Sequence, residues 1–408
     1  MRFPDMATNT DIPQGYKATA LGIIPQEWEV MRLGDIVSIT SGESPSLYHL
    51  KAEGKYPYVK VEDLNNCEKY QESSREYSDD NNTTIKAGSI IFPKRGASIL
   101  NNKVRIAAKD IQMDSNMMAI TPHTAIVDTE FLYIRILHER LYRIADTSSI
   151  PQINNKHIIP YKIAVPPLAE QRKIAEVLGV WDEAIEKQAR LIEKLALRKR
   201  GLMQRLLSAK LRLPGFSEPW KIHKLQELFT ERNETNRTDL PLLSITGDRG
   251  VILQTESEKR DTSNDDKSKY KRIAKGDIGY NTMRMWQGRS ALSGLEGIVS
   301  PAYTIVVPNT DVDGYYMSVL FKQPRLIYDF WTHSQGLVGD TLNCKYRDFG
   351  QVHICCPPLA EQKAITEVLT AADREIELAK EKLERLRRQK RGLMQQLLSG
   401  KKRVKINI

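Results

Sequence analysis

The side chains that could do chemistry in this chain do not fall into a catalytic spacing. A phosphate-binding loop needs glycines, a lysine and a hydroxyl residue in fixed order, and Gly400-Lys401-Lys402 has neither the loop nor the hydroxyl. A helix-borne zinc site needs two histidines four residues apart with a glutamate between them, and the seven histidines are scattered. Cys67, Cys344, Cys355 and Cys356 show no metal-ligand spacing, so they fit a reducing cytoplasm with neither a disulfide framework nor a zinc site. Acidic pairs such as Glu62-Asp63 and Asp265-Asp266, with a lysine nearby, are what chance supplies in a chain that is 27% charged. The Pro-Pro pairs in VPPL and CPPL lack the flanks of an amino-methylating site, and no glycine-rich cofactor loop follows a strand. What remains is charge. A net +10 points toward a polyanionic partner.

That charge is concentrated. Residues 166–213 hold 11 Lys+Arg against 6 Asp+Glu, and residues 357–408 hold 13 against 7, so the rest of the chain is close to neutral. Both basic segments belong to a repeat. Residues 166–208 and 357–399 align at a constant offset of 191 without gaps, with 24 of 43 positions identical, which is a duplication. Each copy begins PPLAEQ and ends RGLMQ(R/Q)LLS.

Each copy reads as one long helix, entered through prolines whose missing N–H costs nothing in a first turn. Its apolar residues follow an alternating four-three spacing. In the first copy they are Ile174, Leu178, Trp181, Ile185, Ile192, Leu195, Leu202 and Leu206, with Gln188 and Lys199 filling the gaps. In the second they are Ile365, Leu369, Ala372, Ile376, Ala379, Leu383, Leu386, Leu393 and Leu397, with Lys390 where the first copy has Lys199. Helices of about 60 Å are too long to stand alone, so the two are expected to pair with each other rather than enter separate bundles or pair with another protein. Trp181 stands where the second copy has Ala372, which would let large pack on small. The two seam lysines either snorkel out of the seam or fix its register.

At 40% apolar, with no apolar run near 18 residues, the chain reads as soluble, of two or three domains, without a membrane span. The N-terminal segment lacks the apolar core of a signal peptide. Residues 1–21 read as a loosely ordered arm. Residues 22–165 and 214–356 read as two dissimilar α+β domains, each entered through a turn and a tryptophan, Trp28 or Trp220. Residues 166–213 and 357–402 are the helical spacers, and 403–408 a tail. In the first domain YPYVKVEDL, GSIIFPKRG, ASIL and YKIAV suggest strands and TEFLYIRILHERLYRI a helix. In the second, LPLLSI, GDIGYN, GIVSPAYTIVV and QVHICC suggest strands and DGYYMSVLFKQPRLIYDFW a helix. A duplicated frame carrying two dissimilar inserts implies one scaffold presenting two different binding surfaces.

The doubled PPLAEQ helix, each copy preceded by a variable domain with a Trp and LGDI-like entry, resembles the DNA-specificity subunit of type I restriction–modification systems over nearly the whole chain. The resemblance implies an α+β protein in which two target recognition domains are separated and joined by an antiparallel coiled coil. It implies that each domain reads one half of a bipartite double-stranded DNA site, and that the helices set the gap and recruit two methyltransferase subunits. It implies no catalysis and no cofactor in this chain. The partner methyltransferase and restriction/translocase subunits would use S-adenosylmethionine, ATP and Mg2+, in the cytoplasm. Half-sites want centres about 34 Å apart, and a coil of about 60 Å is of the right order.

For that role the base readers should be Arg, Lys, Asn, Gln, Ser and Thr on loops. By residue type and position these are Ser41, Ser44, Ser46, Lys94, Arg95, Ser98, Asn102, Lys103, Gln152, Asn154 and Asn155 in the first domain. In the second they are Thr246, Asp248, Arg249, Asn281, Arg284, Trp286, Gln287, Arg289, Ser334, Gln335, Asn343 and Lys345. Two other classes stay open at this point, a coiled-coil adaptor that binds protein and an enzyme whose site has no recognisable spacing.

Overall fold

The structure is a computed structural model that describes residues 12–147, 150–247, 249–257, 263–336 and 342–406. The chain forms two compact units, Met1–Ala189 with Lys382–Ile408, and Arg190–Glu381.

The first unit opens on a hairpin, Tyr16–Thr19 against Gly22–Pro25, so part of the expected arm is paired strand. Trp28 follows, fully buried. Glu29–Arg32 then pairs antiparallel with Lys162–Val165, closing the domain's entry on its exit. Its main sheet runs in the order Val37–Ser41, Met117–Pro122, Ile90–Pro93, Arg105–Ala107, Tyr70–Gln71. A smaller sheet holds Gln112–Met113, Tyr56–Val59 and Tyr77–Ser78. Period-two alternation sends neighbouring residues to opposite faces. Ile90, Phe92, Met118 and Ile120 enter one core with Phe131, Leu132 and Trp28, whereas Ile91, Met117 and Ala119 enter another with Val59 and Met113. Both faces are covered, which is why IIF and MMAI read as unbroken apolar runs.

The second unit repeats the plan with unrelated residues. Lys221–Lys224 pairs with His353–Cys356, as entry on exit, and its sheet runs Phe229–Glu231, Tyr303–Pro308, Ile278–Asn281, Ser290–Leu292. Matched strand for strand, this is the order of the first four strands of the first unit. Three segments depart from the sequence expectation. GIVSPAYTIVV is two strands in different sheets, Gly297–Val299 and Tyr303–Pro308, because Pro301 sits in a turn closed by Tyr303 N–H on the Ser300 carbonyl, 3.1 Å. Each expected long helix of the inserts is two. Arg140, at φ 63°, divides Thr129–Glu139 from Leu141–Ile144, and Pro324 starts Pro324–His333 after Gly314–Leu320 has ended. The expected strand at ASIL is a 3-10 turn, Ala97–Ile99.

The two repeat copies are single helices, Leu168–Leu206 and Leu359–Leu398. In the first unit they run antiparallel, since Lys390 pairs with Asp182 while Ile174 and Leu178 share a core with Leu397 and Leu398. In the second unit Lys199 pairs with Asp373 and Arg198 with Glu375, while Leu206 shares a core with Ile365 and Leu369. The seam residues, Trp181, Ile185, Ile192, Leu195, Leu202, Ile376, Leu383, Leu386 and Leu393 among them, are buried or half-buried, none exposed. Both seam lysines reach an aspartate on the partner helix, which is the register-fixing reading. That register sets Trp181 level with the Lys390–Leu393 turn and Ala372 level with the Lys199–Leu202 turn, so the expected Trp181–Ala372 packing gives way to the ion-paired alignment.

The PPLAEQ motif has a structural meaning. Glu170, with no exposed surface, accepts from Trp28 Nε1 at 3.0 Å and from Arg403 Nε and Nη2 at 2.6 and 2.8 Å. Glu361 repeats this with Trp220 at 3.2 Å and Arg212 at 2.6 and 2.8 Å. Gln171 accepts from Asp128 N–H and donates to the Ile126 and Pro166 carbonyls, while Asp128 caps helix Thr129–Glu139. Gln362 accepts from Asp313 N–H, and Asp313 caps Gly314–Leu320. Glu170 is fully buried although Arg403 is in part exposed, so removing the arginine leaves a buried carboxylate without its main partner. Arg403→Met is therefore expected to cost about 3 kcal/mol of stability, against under about 0.5 for exposed Lys402→Met. Urea unfolding followed by tryptophan fluorescence measures both; equal midpoints would mean Glu170 is satisfied without the tail.

Candidate nucleic-acid interface

In the first unit the candidate loops meet at one end of the main sheet. Ser41 ends its strand opposite Met118, and Gly42 N–H donates to the Met117 carbonyl, so the Ser41–Ser46 loop leaves where strand Met117–Pro122 begins. Strand Ile90–Pro93 ends at the same level, Pro93 opposite Met117, and releases Lys94 and Arg95. A second loop docks there. Asp146 and Gln152 exchange backbone hydrogen bonds at 2.9 Å, pinching the loop, and Ile153 N–H donates to the Lys94 carbonyl at 2.8 Å. Lys94, Arg95, Gln152 and the Ser41–Ser46 loop thus come together from three separate parts of the chain. Burial, then the neighbouring Arg95 charge, pull the Lys94 amine down, an arrangement that an incoming anion relieves.

Other candidates do structural work. Asn102, at φ 51°, accepts from Leu141 N–H and donates to the Leu137 carbonyl. Asn154 and His157 cap the helical turn Asn155–Ile158, leaving Asn155 exposed at its start. Ser44 accepts from Ser46 N–H within its own turn. Ser98 lies in the turn Ala97–Ile99 and Lys103 is half-buried after it.

The second unit has the same arrangement. Strand Ile278–Asn281 ends beside Tyr303, and the chain turns through Arg284 and Met285–Gln287, with the Trp286 indole donating to the Met283 carbonyl at 3.0 Å. Gln335 and Asn343 exchange backbone hydrogen bonds, and Cys344 N–H donates to the Thr282 carbonyl, as Ile153 does to Lys94. Thr246 closes its own turn, accepting from Arg249 N–H and donating to the Gly250 carbonyl. Arg289 reaches over that turn: a Cβ on Gly247 would lie 2.5 Å from its Nη1. Thr246, Arg249, Arg284, Gln287 and Arg289 are therefore neighbours, although nearly forty residues separate the segments. Asp248 lies outside the described residues. Ser334 donates to the Phe330 carbonyl, and Lys345 is exposed just before helix Tyr346–Gln351.

The electrostatics separate these arginines from the others. Arg232 is paired with Asp277, Arg272 with Glu234 and Glu296, and Arg237 with Asp239, so each is neutralised within the fold. Arg95, Arg284 and Arg289 are exposed and make no ion pair among the described residues. Unneutralised guanidinium groups on loops can fork onto guanine O6 and N7 or onto phosphate. Sequence reasoning passed over Ser115 and Asn116, whose turn lies at the same end and whose Asn116 carbonyl accepts from Lys94 N–H, and over Arg143 on Leu141–Ile144. The Asp114-Ser115-Asn116 turn signal was visible, but its adjacency to Lys94 is a tertiary contact. Among the described residues no group of three or more His, Cys, Asp or Glu could hold a metal ion, and no helix is long and apolar enough to cross a membrane.

Comparison with known proteins agrees with this geometry. Residues 25–196 match the family described as type I restriction modification DNA specificity domain. The chain is 25% identical to the type I restriction enzyme MjaVIII specificity subunit of Methanocaldococcus jannaschii, covering 94% of each. It is 26% identical to the putative MjaX specificity subunit of the same organism, covering 96% of this chain and 97% of that one. In fold it is similar to a chain from a structure titled for complex assembly and conformational transition of the type I R-M system, with TM-score 0.62, 17% identity, and 92% and 99% of the two chains covered. Frame, paired helices and dissimilar inserts are thus similar over nearly the whole chain to those of type I restriction enzyme specificity subunits, and residues 25–196 carry the match to their DNA specificity domain.

Proposed function

We propose that residues 22–165 and 214–356 each read one half of a bipartite, asymmetric DNA target, through the sheet ends described above. The observation that supports it most directly is the recurrence, on two unrelated sequences, of a pinched loop docked beside a strand end that carries unpaired arginines. Direct readers in this account are Arg95, Lys94 and Gln152 in one domain, and Arg284, Gln287, Arg289, Arg249 and Thr246 in the other. The paired helices, residues 166–213 and 357–402, set the gap and recruit two methyltransferase subunits. Those subunits supply S-adenosylmethionine-dependent adenine-N6 methylation, and restriction subunits add ATP- and Mg2+-dependent cleavage, in the cytoplasm.

The direct test is to express the chain with its methyltransferase partner in a methylation-free host and map modified adenines. One two-part motif with a fixed gap is the expected result. Co-purification of the subunits without any motif would favour the adaptor reading instead. In the same assay, four residues inserted into one helix lengthen it by about 6 Å, and the gap is expected to change with both half-sites intact; an unchanged gap would remove the helices as the ruler. Arg95→Ala or Arg284→Ala should relax one half-site only, at about 1–3 kcal/mol if the arginine reads guanine. Uniform weakening on all sequences would make it a phosphate contact.

A further inference from the structure

Tyr328 and Trp331 are 60% and 47% exposed, with ring centroids 5.6 Å apart. Two large aromatics left this open on one helix face are out of keeping with the rest of helix Pro324–His333, whose Leu326 and Phe330 are buried. Their position is specific. Ile327, one turn before Trp331 on the same stripe, lies on Gly288, where a Cβ would come within 3.0 Å of its Cδ1, so the helix is seated tightly on the Arg284–Arg289 turn. Arg325 and Asp329, on the stripe beside Tyr328, line a separate pocket with Trp220 and Cys355. Four residues beyond Trp331 the chain enters the Gln335–Asn343 pinch. The aromatic pair therefore borders the Arg284–Arg289 turn proposed to read bases and leads into the pinch docked beside it, and the unpaired cations around it suit a polyanion.

We propose that Tyr328 and Trp331 form an aromatic wedge that packs against, and partly unstacks, one base step of the half-site read by the second domain. Apolar side chains inserted at a base step kink the duplex and are tolerated best at flexible pyrimidine–purine steps. The wedge makes this half-site selective for deformability at a step that no hydrogen-bonding side chain needs to reach. Among its described residues the first domain has no such pair at the matching place: Tyr142, four residues before Asp146 as Trp331 is before Gln335, is half-buried against its core, with Arg143 and Arg140 at its hydroxyl. The unstacking is thus confined to one half of the target.

The inference rests on the second domain meeting DNA by its Arg284 end, and the test separates the two. The full chain, assembled with its methyltransferase partner, is titrated with target duplexes in which 2-aminopurine is moved step by step through the second half-site. The expected result is a fluorescence rise at one step, lost in the Tyr328→Ser/Trp331→Ser variant, with affinity at least tenfold lower, an unchanged salt slope because no phosphate contact is removed, and retention in Trp331→Phe. Unchanged fluorescence and affinity in the double variant, while Arg284→Ala still relaxes the half-site, would overturn the wedge alone. No effect of Arg284→Ala either would overturn the underlying reading. A double variant that no longer co-purifies with the methyltransferase would reassign the face to protein docking.

Discussion

A carboxylate buried at the head of each long helix is the interaction on which each unit depends. Glu170 and Glu361 are withdrawn from water, which costs free energy unless their oxygens find partners, and each receives a tryptophan N–H and a bidentate arginine. The tryptophan comes from the entry of the recognition domain and the arginine from just beyond the end of the other repeat helix. One charge therefore ties entry, helix head and helix tail together. The tail beyond the second helix is an integral part of the first unit for this reason, with the Tyr16 hydroxyl on the Gly400 carbonyl and the Arg135 guanidinium on the Leu398 carbonyl adding to it.

The paired helices use polar groups for alignment and apolar ones for attraction. Leucine and isoleucine seams are permissive about sliding, because one apolar layer resembles the next. A lysine in the seam is not permissive, since its ammonium must find a carboxylate. Lys199–Asp373 and Lys390–Asp182 obey the internal repeat, so the same device aligns the helices in each unit. Under the proposed function, helices held in one register would be a sound base for recognition, because a slip of either would carry a reading domain along the DNA.

The recognition domains show how one fold can hold unrelated sequences. The strand order and the entry–exit ribbon recur, while the residues at the sheet end do not. The sheet is specified by alternation and burial, which many apolar sequences satisfy equally. The loops at its end are specified by what they contact, and so they diverge: Lys94-Arg95 and a serine-rich loop in one domain, a cluster of arginines with flanking aromatics in the other.

By itself, the sequence determined the frame. The repeat, the heptad spacing and the absence of any catalytic spacing are local or periodic signals, readable without a third dimension, and they sufficed for the fold class and for the resemblance to specificity subunits. Tertiary structure decided the rest. Which strands neighbour which, why PPLAEQ holds a glutamate and a glutamine, and that Trp181 aligns with the Lys390 turn instead of Ala372 all depend on contacts between residues far apart in the chain. The same holds for the candidate site. Residue type singled out Arg95, Gln152, Arg284 and Arg289 as polar groups on loops, but Asn102 and Asn154 had the same appearance and serve as a brace and a cap. Only packing distinguishes a side chain whose hydrogen bonds are spent inside the fold from one left free for a partner.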